Sequence, residues 1–471
     1  MRRLRAAWVA GLLMATPAVA GVADELGPTA DERFSRGSAE AVSSEPWWRD
    51  FGDERLTAAV EAAMTGNRDL AGLRAVEGQL RAAGMQARSA LSPTVSANGF
   101  GTVAPMDSLG FGFGLPTDPT APKTYVQGQG TLDAQWQLDV FGRSAATWRA
   151  QQRDAEAAEG DVENLASATA SLVAGAYFDV VAAQERVSVV EAQIRTNREL
   201  LEILELRYER GDSQSLDVLQ QRQQLASTEA LLPTLELVRD TSNQRLAVLL
   251  GQLPNRPVEV ASTLPEPSAS VNVGTPAELV QNRPSLRSAA DRLRSARDRR
   301  WAATASLLPT LGLSATAGWQ FIDRGEFTDQ TYWNAGASIS VPIFGGGRNL
   351  GTIRQSRAAY DGQAAQFEGA VLTAVQEVEG ALSREQYQRQ AVDAQAAQLQ
   401  AARAASEAAK DQYLRGVAPF LNVQNALARE QAAELTLIQG RRDLLSARIA
   451  LHVALGGPWT QNLGTDGEPR P

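Results

Sequence analysis

The 471-residue chain contains no cysteine and a single histidine, His452. The first absence excludes disulfides, thiolate metal sites and a lipid-bearing N-terminal cysteine. With one histidine as well, histidine-based metal centres and Ser-His-Asp or Cys-His catalysis are out of reach. His452 itself lies beside alanine and leucine, the setting of a packed or interfacial histidine. Beyond the N-terminal leader, no stretch reads as the ~20 apolar residues that a transmembrane helix requires, so any membrane insertion is expected through strands. Basic residues fall short of acidic ones, 45 against 54, which argues against a nucleic-acid partner. Gly345-Gly346-Gly347-Arg348 lacks the Lys-Ser/Thr pair of a phosphate loop and reads as a corner. No catalytic residue, cofactor or resident metal is therefore expected.

The N-terminus carries an address. Arg2, Arg3 and Arg5 precede a short apolar run, Ala6 to Ala15, and then Thr-Pro-Ala-Val-Ala, where Ala18 and Ala20 suit a signal peptidase. A cleaved signal peptide over 1–20 is expected, with Gly21 first in the mature chain. Its removal takes three arginines and no acid, leaving 42 basic against 54 acidic residues and a net charge of −12.

The sequence is written twice. At a spacing of 216, Leu70 falls on Leu286, Arg81 on Arg297 and Pro93-Thr94 on Pro309-Thr310; at 205, Tyr208, Gly211, Leu216 and Val218 fall on Tyr413, Gly416, Leu421 and Val423. Leu250-Gly251 likewise falls on Leu455-Gly456. Register held this long marks a tandem duplication, an N-terminal repeat over 21–281, a C-terminal repeat over 282–457 and a tail over 458–471.

Within each repeat, two period-2 segments precede two long periodic ones. Val126, Gly128, Gly130, Leu132, Ala134, Trp136 and Leu138 alternate with Gln127, Gln129, Thr131, Asp133, Gln135 and Gln137. Apolar on one side and polar on the other is the pattern of a lipid-facing, water-lined strand. Strands are expected at about 94–103, 125–139, 310–321 and 332–343, joined in pairs by a loop from Pro105 to Pro122 and a shorter one from Asp323 to Gln330. Trp136, Trp319 and Trp333, with Phe321, Tyr125 and Tyr332 nearby, suit an aromatic girdle at the lipid interface. Four strands cannot close a barrel, and open edges are not tolerated in lipid, so the chain must assemble with copies of itself. An ordinary sandwich with one wet face would show the same alternation.

No proline occurs between Arg143 and Tyr208, where Leu172, Ala176, Val180, Ala183, Val187, Val190, Ile194, Leu201, Leu204 and Tyr208 form a heptad-like seam. Such a helix is a rod of roughly 100 Å. Helices are expected at about 143–210, 215–251, 348–414 and 419–456, each long rod reversing at Gly211 or Gly416, with Pro233 kinking the first return helix. The fold class is α+β: four antiparallel transmembrane strands above a long helical coiled coil.

Several segments resemble the outer membrane efflux proteins of the TolC and OprM type, particularly the NodT-like branch. They are Pro46-Trp47-Trp48 through Leu56 with Gly66-Asn67-Arg68-Asp69-Leu70; Leu138-Asp139-Val140-Phe141-Gly142-Arg143; Tyr208 to Gly211 with Leu216-Asp217-Val218-Leu219; Leu232-Pro233 with Leu246 to Gly251; Asn282-Arg283-Pro284; Val341-Pro342-Ile343-Phe344; and Val423-Gln424-Asn425. The resemblance covers nearly the whole mature chain, in order. It implies a homotrimer with a twelve-stranded outer-membrane barrel and a periplasmic α-helical barrel, partnered by a periplasmic adaptor and an inner-membrane pump. It also implies that the turns at Arg210, Gly211, Asp212 and at Arg415, Gly416 form a tip where adaptors dock and the channel narrows. Asp217 matches an inward carboxylate position, its counterpart being Asn422; Tyr208, Tyr413, Arg210 and Arg415 are candidates for closing the tip. Trp47 and Trp48 are expected in an equatorial belt. Many OprM-like relatives carry an acylated cysteine that this chain lacks. The same architecture would serve a type I protein secretion duct, and a periplasmic coiled-coil filament without a pore is the reading from another class.

Overall fold

A computed structural model describes residues 33–36, 42–105, 124–268, 271–323, 326–457 and 459–460. The expected signal peptide, nearly all of the Pro105–Pro122 loop and most of the 458–471 tail lie outside these residues.

Each repeat opens with two short helices, continues through a β-hairpin and ends in a long helical hairpin. In the first repeat, α1 (Glu54–Gly66) and α2 (Arg68–Ser89) lead into β1 (Thr94–Pro105) and β2 (Thr124–Leu138), then α3 (Arg143–Glu209) and α4 (Ser215–Leu249). In the second, α5 (Pro276–Asn282) and α6 (Pro284–Ala305) lead into β3 (Thr310–Asp323) and β4 (Phe327–Ser340), then α7 (Arg348–Leu414) and α8 (Phe420–Leu455). Both α3 and α7 run for 67 residues, about 100 Å at the α-helical rise.

Local chemistry sets these boundaries. Asp53 accepts hydrogen bonds from the Arg55 and Leu56 amides (2.9 and 3.2 Å), and Asn67 does the same for Asp69 and Leu70 (2.9 and 3.2 Å), capping α1 and α2. After β2, the chain turns at Gly142 in the left-handed region (φ +69°), and the Asp139 carboxylate accepts from the Ser144 and Ala145 amides at 2.9 and 2.7 Å. The segment Leu138 to Arg143 is thus a strand-to-helix corner with its own cap.

The four strands form one antiparallel sheet in the order β1-β2-β3-β4. Their registers keep each alternating face continuous: Leu132 opposes Ala97 and Ala317, while Asp133 opposes Ser96 and Thr316. β4 begins earlier than the alternation alone suggests, at Phe327, so the turn after β3 is short and Asp329 and Gln330 belong to the strand. Val341 and Ile343, expected as strand residues, follow its end and are exposed. Pro233 does not interrupt α4, which continues through it.

The core runs along the rods as successive clusters. The largest packs Trp47, Trp48, Phe51, Leu56 and Val60 against the middle of α3, at Ala166 to Ala182, and against Ile438, Leu445 and Ile449 of α8. Rings meet edge-on here: Trp47 with Trp48, Trp48 with Trp459, Phe51 with Phe178. His452 stacks on Trp47 at 5.5 Å. Tyr177 donates to Asp53 at 2.6 Å and accepts from the Ala261 amide at 2.9 Å. Burial and the adjacent Asp53 carboxylate push its hydroxyl above the usual phenol range.

Two expectations need correction. One stretch of α3 is apolar enough for a membrane span, but 67% of it is buried within the protein; its alanines and valines serve helix packing rather than lipid. The α3 seam is buried at Ala176, Val180, Ala183, Val187, Val190, Ile194 and Leu204, yet Leu172 and Tyr208 are half exposed at 48% and 51%. Both lie on the rod but face away from the chain's own core.

Candidate functional site

Two regions carry the functional geometry: the sheet, with its two chemically distinct faces, and the far ends of the helical hairpins.

On the apolar face of the sheet stand Val126, Leu132, Trp136, Leu313, Trp319 and Trp333, each about two-fifths exposed or more. Trp136 pairs in register with Leu313 at the helix end of the sheet and donates its indole N–H to the Leu91 carbonyl at 3.2 Å. Phe321 lies near the opposite end, tilted against Trp319 at 5.2 Å and stacked on Phe327 at 5.4 Å. Trp319 donates to Asp329 at 3.1 Å. From Leu313 to Phe321 the strand rises roughly 26 Å, close to the ~25 Å apolar band of a membrane barrel. Trp136 stands at one level of this face and Trp319, Phe321 and Phe327 at the other, with Trp333 between them, opposite Ala317.

Tyr125 and Tyr332, expected in the same girdle, lie on the other face. The β2 alternation puts Tyr125 with Gln127 and Gln129, and the Tyr332 hydroxyl accepts from Gln129 Nε2 at 2.7 Å. Tyr332 lies flat across Gly318, where an added Cβ would sit 2.8 Å from its ring. Tyrosine has a polar end that a wet face can satisfy, and the parity of the strand rather than aromaticity decides its side.

At the opposite end, both long helices stop by the same device. Gly211 (φ +81°) donates to the Tyr208 carbonyl and Asp212 to the Arg207 carbonyl; Gly416 (φ +72°) donates to Tyr413 and Val417 to Gln412. These paired bonds, all 2.8–2.9 Å, are Schellman closures, and they reverse the chain into α4 and α8. The two turns are held side by side by a small core of Leu204, Val218, Phe420 and Val423.

The expected tip residues divide by what they touch. Tyr413 packs edge-on against Phe420 at 5.4 Å, and the Arg207 guanidinium sits 5.0 Å above its ring. Its hydroxyl is buried and has no hydrogen-bond partner among the described residues. Arg415 forms a two-point pair with Asp411 one turn earlier (3.0 and 2.9 Å). Asp217, matched to an inward carboxylate, accepts from the Ser213 hydroxyl and the Gln214 amide (3.0 and 3.3 Å), so it caps α4. Asn422, its counterpart, is exposed in the first turn of α8. Tyr208, Arg210 and Asp212 are exposed at the tip surface. Arg207 escaped the sequence reading because it sits one residue before the seam position Tyr208, where arginine reads as a helix-end charge.

A groove of about 790 Å³ opens along α3, α6 and α7, but its charges face one another: Arg292 pairs with Asp161 and Arg299 with Asp154. It has the character of a helix seam rather than a ligand pocket.

Comparison with known proteins bears on this architecture. The profile of the outer membrane efflux protein family matches residues 59–252 and 275–457. The chain belongs to this outer membrane efflux family. Each matched span takes in one helical hairpin together with its β-hairpin, the same tandem organisation seen in the fold. Among relatives of the family, the pyoverdine export outer membrane protein OpmQ of Pseudomonas putida is 28% identical over 458 residues, covering 94% of each chain. Nodulation protein T of Rhizobium leguminosarum bv. viciae is 28% identical, covering 90% of this chain and 87% of its own. The solved outer-membrane channel OprN superposes with a TM-score of 0.78 at 27% identity, over 95% of this chain and 98% of that one. Relatives and structural neighbours of this efflux family are channel or efflux proteins rather than enzymes.

Proposed function

We propose that the protein is a passive trimeric outer membrane channel, the exit duct of a tripartite efflux pump that exports small molecules. The observation that carries this reading is the four-stranded sheet: one face apolar and rich in aromatic residues, the other polar, and the outer edges of β1 and β4 without a strand partner among the described residues. Unpaired edges in lipid leave backbone groups unsatisfied, so β4 of one copy joins β1 of the next; three copies close twelve strands.

The helices support the same assembly. Gly351, Gly362, Gly369 and Gly380 recur on one face of α7, exposed and with open space around each. Inside the chain, the corresponding crossing of α6 over α3 is made at Gly160, where an added Cβ would meet Ser288 at 3.1 Å. Small residues on α7 allow a neighbouring copy the same close approach. The periplasmic rods then form a helical barrel, and the tips at Gly211 and Gly416 meet an adaptor that links the duct to an inner-membrane pump.

The closed end of the duct is drawn together by Tyr413, with Arg207 on its ring and a buried hydroxyl for which a neighbouring hairpin would supply the partner. Conductance in planar bilayers tests the reading. The purified protein is expected to conduct weakly and Tyr413→Ala to conduct several-fold more, because truncation removes both the ring and the hydroxyl. Absence of conductance in both, with insertion confirmed, would sink the channel.

A further inference from the structure

The strand segments are almost free of charge. β1 to β4 contain no lysine or arginine, and their acidic residues are Asp133, Asp323 and Asp329. Asp323 and Asp329 fall on the girdled outer face by register, at the β3–β4 turn. Asp133 is therefore the one carboxylate on the polar face among the described strand residues. Its level of the sheet is otherwise neutral: Ser96, Thr316 and Asn334 stand in line with it across β1, β3 and β4.

Three hydrogen bonds fix this carboxylate. Asn98 Nδ2 and the Thr131 hydroxyl donate to one oxygen at 2.9 and 2.8 Å, and the Thr316 hydroxyl donates to the other at 2.7 Å. The donors come from β1, β2 and β3, so the group is tied to the wall rather than free to sweep the lumen. None of them is a cation, so the charge is held without being cancelled. Five residues separate Asp133 from the end of β2 at Leu138, roughly 17 Å of strand. That places it inside the membrane span, far from the helical tip.

We infer that Asp133 is the charge-selecting residue of the β-barrel, a ring of one carboxylate per copy on the inner wall that favours cationic over anionic solutes. This rests on the trimeric channel reading, since a ring needs three copies around a shared lumen. Walls of lower dielectric focus the field of three like charges into the pore, and among the described strand residues no basic side chain opposes them. The effect is short-ranged, because screening falls to about 8 Å at physiological salt and about 3 Å at 1 M. The ring therefore discriminates at low ionic strength and fades in concentrated salt.

The experiment is the reversal potential of the reconstituted protein under a potassium chloride gradient at low salt. Wild type is expected to favour potassium, and Asp133→Asn to lower the potassium-to-chloride permeability ratio about twofold or more. Thr131→Val and Thr316→Val remove hydrogen bonds but keep the charge, and should retain the wild-type preference even where they loosen the trimer. A conducting Asp133→Asn protein with unchanged selectivity overturns the assignment while leaving the channel reading intact. Loss of selectivity in the two threonine variants as strong as in Asp133→Asn also overturns it, by making Asp133 a clasp between strands and nothing more. If no protein conducts despite confirmed insertion, the channel reading falls and the ring with it.

Discussion

Arg448 is only 2% exposed, and its guanidinium is spent on Glu385 and on the hydroxyl and carbonyl of Ser268 (2.9 and 2.8 Å). Removing one member of such a pair strands the other in a poorly solvated site. Arg448→Met is expected to cost about 3 kcal/mol, the lower end for a buried pair, because Arg389 stays 3.1 Å from the same Glu385 oxygen; chemical denaturation reads it. His452, one helical turn on from Arg448, is neutral in the fold: burial first, then the Arg448 charge, lower its pKa to about 3. An unfolded chain would protonate that imidazole near pH 6.5. The unfolded state thus binds the extra proton between these values, so His452 contributes stability present above about 6.5 and lost as pH falls toward 3. His452→Phe should flatten that part of the stability profile, and an unaltered slope would count against the assignment. The sequence showed His452 as a packed residue because its neighbours are alanine and leucine. It could not show Trp47, more than four hundred positions away, as the ring it stacks on. Tyr125 and Tyr332 are the opposite case: residue type suggests the girdle, while the strand alternation puts both on the polar face.

Helical elements were legible wherever periodicity and punctuation agreed. The two glycine turns, the proline-free rods and the Gly345 to Arg348 corner, with Gly346 and Gly347 at positive φ, all follow from spacing and backbone freedom. The α3 seam carries one further signal, a gap of seven between Ile194 and Leu201. Asn197 fills that step, fully buried, donating to Thr228 at 3.2 Å and accepting from Gln221 at 3.2 Å. A polar residue inside an apolar seam fixes the register of paired helices, here α3 against α4. The glycines separate into two kinds by their surroundings. Gly211 and Gly416 have positive φ and open space around them, so alanine there costs backbone strain alone, about 1–2 kcal/mol. Gly251 combines φ +73° with a Cβ position 2.3 Å from the Gly66 carbonyl oxygen, where α1 meets the end of α4. Gly251→Ala is therefore expected to lower the melting temperature well below that of Gly416→Ala. Hydrogen exchange should localise the Gly416→Ala defect to the last turn of α7. Equal melting temperatures would refute the contact between Gly66 and Gly251 as a packing constraint.

The duplication has its largest consequence for the whole molecule, because under the proposed assembly it predicts how one copy would meet the next. Aligning Val140-Phe141-Gly142 on Ile343-Phe344-Gly345 sets β4 against β2, and Pro93-Thr94 on Pro309-Thr310 sets β1 against β3. If neighbouring copies repeat the internal β2–β3 register, in which Gln137 opposes Gly312, Ser340 of one copy opposes Ser96 of the next. The parity agrees, for both serines lie on the polar face. Within one chain the two stand on opposite edges of a four-stranded sheet, three strand spacings or roughly 14 Å apart, beyond the ~7 Å that a disulfide can bridge. The protein has no cysteine of its own. Ser96→Cys with Ser340→Cys, oxidised in the membrane, should thus run as covalent dimers and trimers under non-reducing denaturing conditions. Pairing Ser96→Cys with Asn334→Cys, six residues along β4 on the same face, should leave monomers. Monomers from both pairs, in protein shown to be inserted, would mean that the copies join in another register or through another surface. The number of copies is not written in strand alternation, since any number of four-stranded sheets with two-faced strands satisfies it; the cross-linked ladder, ending at three, is what would fix it.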